Sequence, residues 1–170
     1  MNDKIKSNSS LLLAYQQDSL TIPSDFSISC LLSTTPKGIF HSSFHIDNLI
    51  ACGTNQGPII LAGLIKKENK FQRVSLLCGH SNRVTDLKES LQGDSFFSVS
   101  SNGTICLWSL CDGSCLLHTN LSLPYSDYKI SICPTGISLI WIWASGSNLN
   151  LFDLKKERIV YSLSLGGVFN

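Results

Sequence analysis

The chain has 170 residues, 43% of them hydrophobic and 15% charged, with 13 basic against 12 acidic side chains. That length predicts one domain, the apolar content excludes a disordered chain, and a net charge of +1 leaves no electrostatic footprint for nucleic acid or an acidic membrane surface. Charge is scarce against the usual ~25% of soluble domains, and serine, with 27 residues, takes its place.

The first 23 residues are rich in Ser, Asn and Gln and carry no repeat, so a flexible arm is expected over 1–23. Within it, Lys4 and Lys6 precede only five apolar residues, Leu11 to Tyr15, too few for the ~7 to 15 of a signal-peptide core. The densest apolar run further on, Ile137 to Ala144, is also far short of the ~18 to 20 residues of a membrane span. A cytoplasmic chain is expected, with its seven cysteines (30, 52, 78, 106, 111, 115 and 133) as reduced thiols.

From residue 24 onward the sequence repeats. Ile50-Ala-Cys-Gly-Thr-Asn-Gln-Gly-Pro-Ile-Ile-Leu61 overlays Phe96-Phe-Ser-Val-Ser-Ser-Asn-Gly-Thr-Ile-Cys-Leu-Trp108, with Gly57 on Gly103, an offset of 46. A third copy, Trp143 to Leu154, places Phe152 on Trp108 at an offset of 44. Each copy is a short apolar strand, a turn of small residues, and an alternating strand. Asn102-Gly103 predicts a tight two-residue hairpin, because both residue types tolerate positive φ. No stretch sustains a helical period. The reading is all-β, in units of about 45 residues, placed at 24–64, 71–110 and 121–165.

These residues resemble the WD-repeat family of β-propellers. The middle copy carries Gly79-His80 near its start, Ser98 to Gly103 in the centre and Leu107-Trp108 at the end. Departures are plain: Ser109 follows Trp108 where aspartate is usual, the first copy has Ala62-Gly63 there, and the third lacks a Gly-His pair. The resemblance implies a buried structural hydrogen-bond network of His80, Ser98, Asn102 and Trp108. Asn102 replaces an aspartate, and a neutral amide accepts less strongly than a carboxylate. More narrowly, Leu76 to His80, Phe97 to Cys115, Leu151 to Leu154 and Val160 to Leu163 resemble the N-terminal propeller of the rabconnectin beta subunit. That resemblance implies a role in vacuolar-type proton pump assembly and acidification, with a rabconnectin alpha-type subunit or pump subunits as partners, and a peripheral place on endomembranes through them.

Closed propellers have about four to eight blades, so roughly three form a partial propeller that cannot close a ring alone. Open sheet edges invite self-association or a protein partner, and the start of a longer protein is the expectation favoured here. The expected function is a non-catalytic scaffold for protein–protein interaction. Two alternatives stand beside it: a truncated propeller fragment without independent function, and a small Cys/His metal-binding protein.

The metal alternative would use Cys106, Cys111, Cys115 and His118, whose spacing lacks paired Cys-x2-Cys knuckles. No metal or cofactor is therefore expected. Cys111 would be reactive only if exposed, and its neighbour Asp112 works against a thiolate. A hydrolase triad drawn from His80, Asp86 and a serine has no Gly-x-Ser-x-Gly elbow behind it, and no phosphate-binding glycine loop exists. Lys155 to Arg158 reads as a solvated turn. Trp141 and Trp143 share one strand face and are expected in the core.

Overall fold

In the computed structural model the described residues are 26–164, apart from 43–44, 66–67, 69, 124–126, 135–138 and 145–147. The expected arm over 1–23 and the turn of the third repeat at 145–147 lie outside the described residues. The first four strands are β1 (Ile28–Thr34), β2 (Asn48–Thr54), β3 (Ile59–Ile65) and β4 (Lys70–Leu77). A five-residue helix, α1 (Gly38–Ser42), sits in the β1–β2 connection. Then come β5 (Val84–Glu89), β6 (Ser95–Ser100), β7 (Thr104–Ser109) and β8 (Cys115–Asn120). The last group is β9 (Tyr128–Ile132), β10 (Leu139–Ala144), β11 (Asn148–Asp153) and β12 (Arg158–Ser164).

Each group of four is an antiparallel meander in chain order, giving three separate sheets. The sheets stack through their first strands, β1 beside β5 and β5 beside β9. This is the architecture of a partial propeller of three blades.

The repeat seen in the sequence is also a repeat of irregularities. The third strand of each sheet slips register against the fourth at Leu61/Ala62, Leu107/Trp108 and Leu151/Phe152, positions separated by the same 46 and 44 residues as the motifs. A second bulge recurs in the first strands, between Ile28 and Cys30 and between Val84 and Asp86. Its extra residue, Ser29 or Thr85, turns its hydroxyl to the next sheet: Ser29 Oγ donates to Val84 O (2.6 Å) and Thr85 Oγ1 to Tyr128 O (2.8 Å). Bulges re-aim a side chain locally, and here they tie one blade to the next.

Two apolar cores fill the spaces between sheets. Between the first and second lie Leu49, Ala51, Ile59 and Leu61 against Val84, Leu87, Phe96, Cys106 and Trp108. Between the second and third, Phe97, Val99 and Ile105 meet Tyr128, Ile130, Ile140, Ile142 and Phe152. The middle sheet is covered on both faces, so every residue of β6 is buried. That explains why its sequence runs apolar and small without the alternation of a half-exposed strand.

The middle sequence unit is offset from its sheet by one strand, while the unit at 121–165 coincides with the third sheet. The expected unit 71–110 joins β4, the last strand of the first sheet, to β5–β7 of the second. Its glycine–histidine mark therefore falls in the connection between two sheets.

Two local expectations are corrected. The Asn102-Gly103 turn is a three-residue loop, because Gly103 (φ 80°) has positive φ and Asn102 does not. Gly103 N donates to Ser100 O (2.9 Å), the geometry of a type I turn closed by a left-handed glycine. Asn102 stays in the ordinary region because its side-chain oxygen accepts from Ser100 Oγ (2.6 Å) and Thr104 N (3.2 Å). Trp141 and Trp143 do share a face, but it is not core. Ile140 and Ile142 take the buried side of β10, leaving Trp141 half-buried and Trp143 40% exposed.

Candidate interaction surface

The β4–β5 connection carries Gly79 and His80 across the edge of the second sheet. A Cβ on Gly79 would stand 2.8 Å from the ring of Trp108, so only glycine lets the backbone pass this close. His118 on β8 secures the same segment, its Nε2 donating to Gly79 O (3.0 Å). His80 is thereby pressed inward.

There, Ser98 Oγ accepts from Trp108 Nε1 (2.8 Å) and lies 2.6 Å from His80 Nε2. Ser98 is fully buried, and the rings of His80 and Trp108 meet edge to face with centroids 6.5 Å apart. Three of the four network residues thus come together. Asn102 does not join them: its side chain serves its own turn, while its backbone O accepts from Asn120 Nδ2 (3.2 Å). His80 Nδ1 is left buried with no hydrogen-bond partner. Burial, and secondarily the charge of His118, pulls the imidazole pKa down to about 4.

A serine beside a histidine is half of a hydrolytic triad, but this pair has the wrong surroundings. Asp86 accepts from Ile130 N (3.0 Å), so its carboxylate joins two sheets while His80 Nδ1 has no acid to orient it. Ser98, with no exposed surface, is out of reach of a substrate. The cysteines build no such site either, although Cys106 and Cys115 lie within hydrogen-bonding reach of each other. Cys106 is buried, its thiol pushed up to about 12 chiefly by desolvation, whereas Cys111 and Cys115 are exposed at opposite ends of a turn. Among the described residues no group of three or more His, Cys, Asp or Glu could hold a metal ion.

Among the described residues, part of the surface open to other molecules is apolar. A cleft of about 390 Å³ lies between the second and third sheets, lined among others by Leu91, Phe97, Leu107, Leu116, Ile132 and Leu139. Asp94 stands on its rim, its carboxyl held below the usual range by the hydroxyls of Ser95 and Ser90. Sequence reasoning missed Leu91 and Leu116; the available signal was an apolar residue placed in a turn, Leu91-Gln-Gly93. Lys155 to Arg158 forms an exposed turn whose Lys156 pairs with Asp153 at 3.5 Å.

Comparison with known proteins adds family context. No family model matches the chain. It is 25% identical over 100 residues to echinoderm microtubule-associated protein-like 4 of Mus musculus, covering 59% of this chain and 10% of the relative. A 60-residue stretch is 42% identical to the ribosome biogenesis protein BOP1 homolog of Brugia malayi, covering 35% of this chain and 9% of the relative. In fold it resembles a chain from the crystal structure of a mitotic checkpoint complex, at a TM-score of 0.55 and 16% identity, over 70% of this chain and 36% of that one. The chain thus spans about a tenth of the length of these curated relatives. Together with the three stacked meanders, the likenesses support a β-propeller of the WD-repeat type.

Proposed function

We propose that this chain, three blades of a WD-repeat-type propeller, is a non-catalytic scaffold that binds other proteins. One observation carries the reading. The serine–histidine pair with catalytic potential, Ser98 and His80, is sealed in the core at 0% and 7% exposure, while large apolar side chains such as Leu31, Leu116, Trp143 and Tyr161 are left exposed. A molecule built this way presents apolar surface for docking and keeps its serine–histidine pair away from any substrate.

The partner class rests on the resemblance to the rabconnectin beta subunit, supported by the Leu76–His80 and Phe97–Cys115 segments and the closing Val160-Tyr-Ser-Leu163. On that basis the scaffold serves vacuolar-type proton pump regulation, held to endomembranes by its partners. The experiment is gentle affinity capture of the tagged full chain from its native cells, with mass spectrometric identification of the proteins that co-purify. Stoichiometric pump subunits or a rabconnectin alpha-type subunit are expected. Recovery of a different defined complex would contradict the pump assignment but keep the scaffold; recovery of chaperones alone would contradict both.

A further inference from the structure

Residues 102 and 103 are the only place in the sequence where asparagine precedes glycine. Asparagine is thermolabile, and a following glycine makes it most so, because no Cβ hinders its neighbour's side chain. The glycine amide nitrogen, once it loses its proton, attacks the asparagine carboxamide carbon. A succinimide ring forms and the side-chain nitrogen leaves as ammonia. Water then opens the ring at one carbonyl or the other. The product is aspartate, or an isoaspartate whose main chain is longer by one carbon. Water is consumed, ammonia is released, and no oxidant or cofactor takes part.

The turn between β6 and β7 holds both reacting groups away from this chemistry. Gly103 is buried, and its N–H, the nucleophile in waiting, donates to Ser100 O (2.9 Å). A buried, hydrogen-bonded amide gives up its proton only when the structure opens locally. The carboxamide oxygen of Asn102 accepts from Ser100 Oγ (2.6 Å) and Thr104 N (3.2 Å), which fixes the side chain in the turn. Asn120 Nδ2 holds the adjoining backbone through Asn102 O (3.2 Å). The next sheet covers the glycine: a Cβ at Gly103 would stand 3.1 Å from the Tyr128 hydroxyl oxygen. Asn102 itself is exposed, so water is at hand as soon as the turn opens.

We propose that Asn102 is a deamidation site gated by its own turn, with ring closure waiting for the Ser100–Gly103 hydrogen bond to open. The two products then part ways. Aspartate keeps an oxygen for Ser100 Oγ and Thr104 N and re-forms the turn. Isoaspartate lengthens the main chain just before Gly103, so the loop no longer returns the glycine N–H to Ser100 O. Opening of this one turn is thereby converted into a permanent change in the blade.

The test is incubation of the full chain at neutral pH, native and in concentrated urea, with peptide mass spectrometry following deamidation at residue 102. The native rate should be at least about tenfold lower than the rate in urea. Exchange of the Gly103 amide proton, read by NMR, reports the same opening, and the two slowings should agree within about threefold. Ser100→Ala removes the hydroxyl from the carboxamide but keeps Ser100 O. It should raise the native rate at least about threefold, with circular dichroism and the rate in urea unchanged. Equal rates in the native chain and in urea would overturn the proposal. So would native deamidation faster than the Gly103 opening allows, or a folded Ser100→Ala chain that deamidates no faster than the original.

Discussion

His80 shows how one residue links the motif to the stability of the chain. Its Nε2 is engaged with Ser98 and its Nδ1 has no partner, so a proton added to the ring would place a charge in the core without a counter-ion. That is why the pKa falls to about 4 from the ordinary 6.5. Above about pH 6.5 the ring is neutral folded or unfolded; as pH falls toward 4, the unfolded state takes up the proton first and stability is lost. Over that window His80 alone should cost about 3 kcal/mol, at 1.36 kcal/mol per pKa unit. Urea unfolding at pH 7 and pH 4 measures it, and His80→Gln should flatten the difference. An equal loss in the variant would assign the acid sensitivity elsewhere.

At the scale of elements, the turns and bulges decide what the strands do. Asn102 was legible as a turn residue, since Asn-Gly between two apolar strands has few other uses. Its detailed geometry was not, because the choice between two-residue and three-residue loops depends on hydrogen bonds from Ser100 and Thr104. Removing that acceptor by Asn102→Ala should destabilise the chain by about 1 to 2 kcal/mol. Asn102→Asp, which keeps an acceptor for both hydrogen bonds, should come close to neutral. Chemical denaturation distinguishes these outcomes, and a neutral Asn102→Ala would show that the loop holds without its side chain.

The repeat spacing and the Gly-His and Trp marks were likewise readable, because they report packing that recurs. What escaped reading was parity against the stack. Nothing in Leu-Ile-Trp-Ile-Trp says that the isoleucines, rather than the larger tryptophans, take the covered side. That choice is made by the neighbouring sheet. The bulges that set Ser29 and Thr85 toward the next blade are also invisible locally, since each is one extra residue in an otherwise ordinary strand.

For the whole molecule, three sheets with two cores between them form a graded object. The middle sheet is covered on both sides, whereas β12 lies on an outer edge with nearly every residue exposed. In repeat architectures stability comes from neighbour interfaces, so local opening should be cheapest where one neighbour is missing. No helix among the described residues is long and apolar enough to cross a membrane.

Hydrogen–deuterium exchange of the full chain, resolved peptide by peptide in dilute neutral solution, tests that stacking most directly. The slowest exchange is expected in β6 and β7, faster exchange in β10 and β11, and the fastest of these in β12. If β12 is protected as strongly as β7, or if β6 and β7 exchange first, the three sheets are not stacked with the second at the centre, and the scaffold built on that order fails with it.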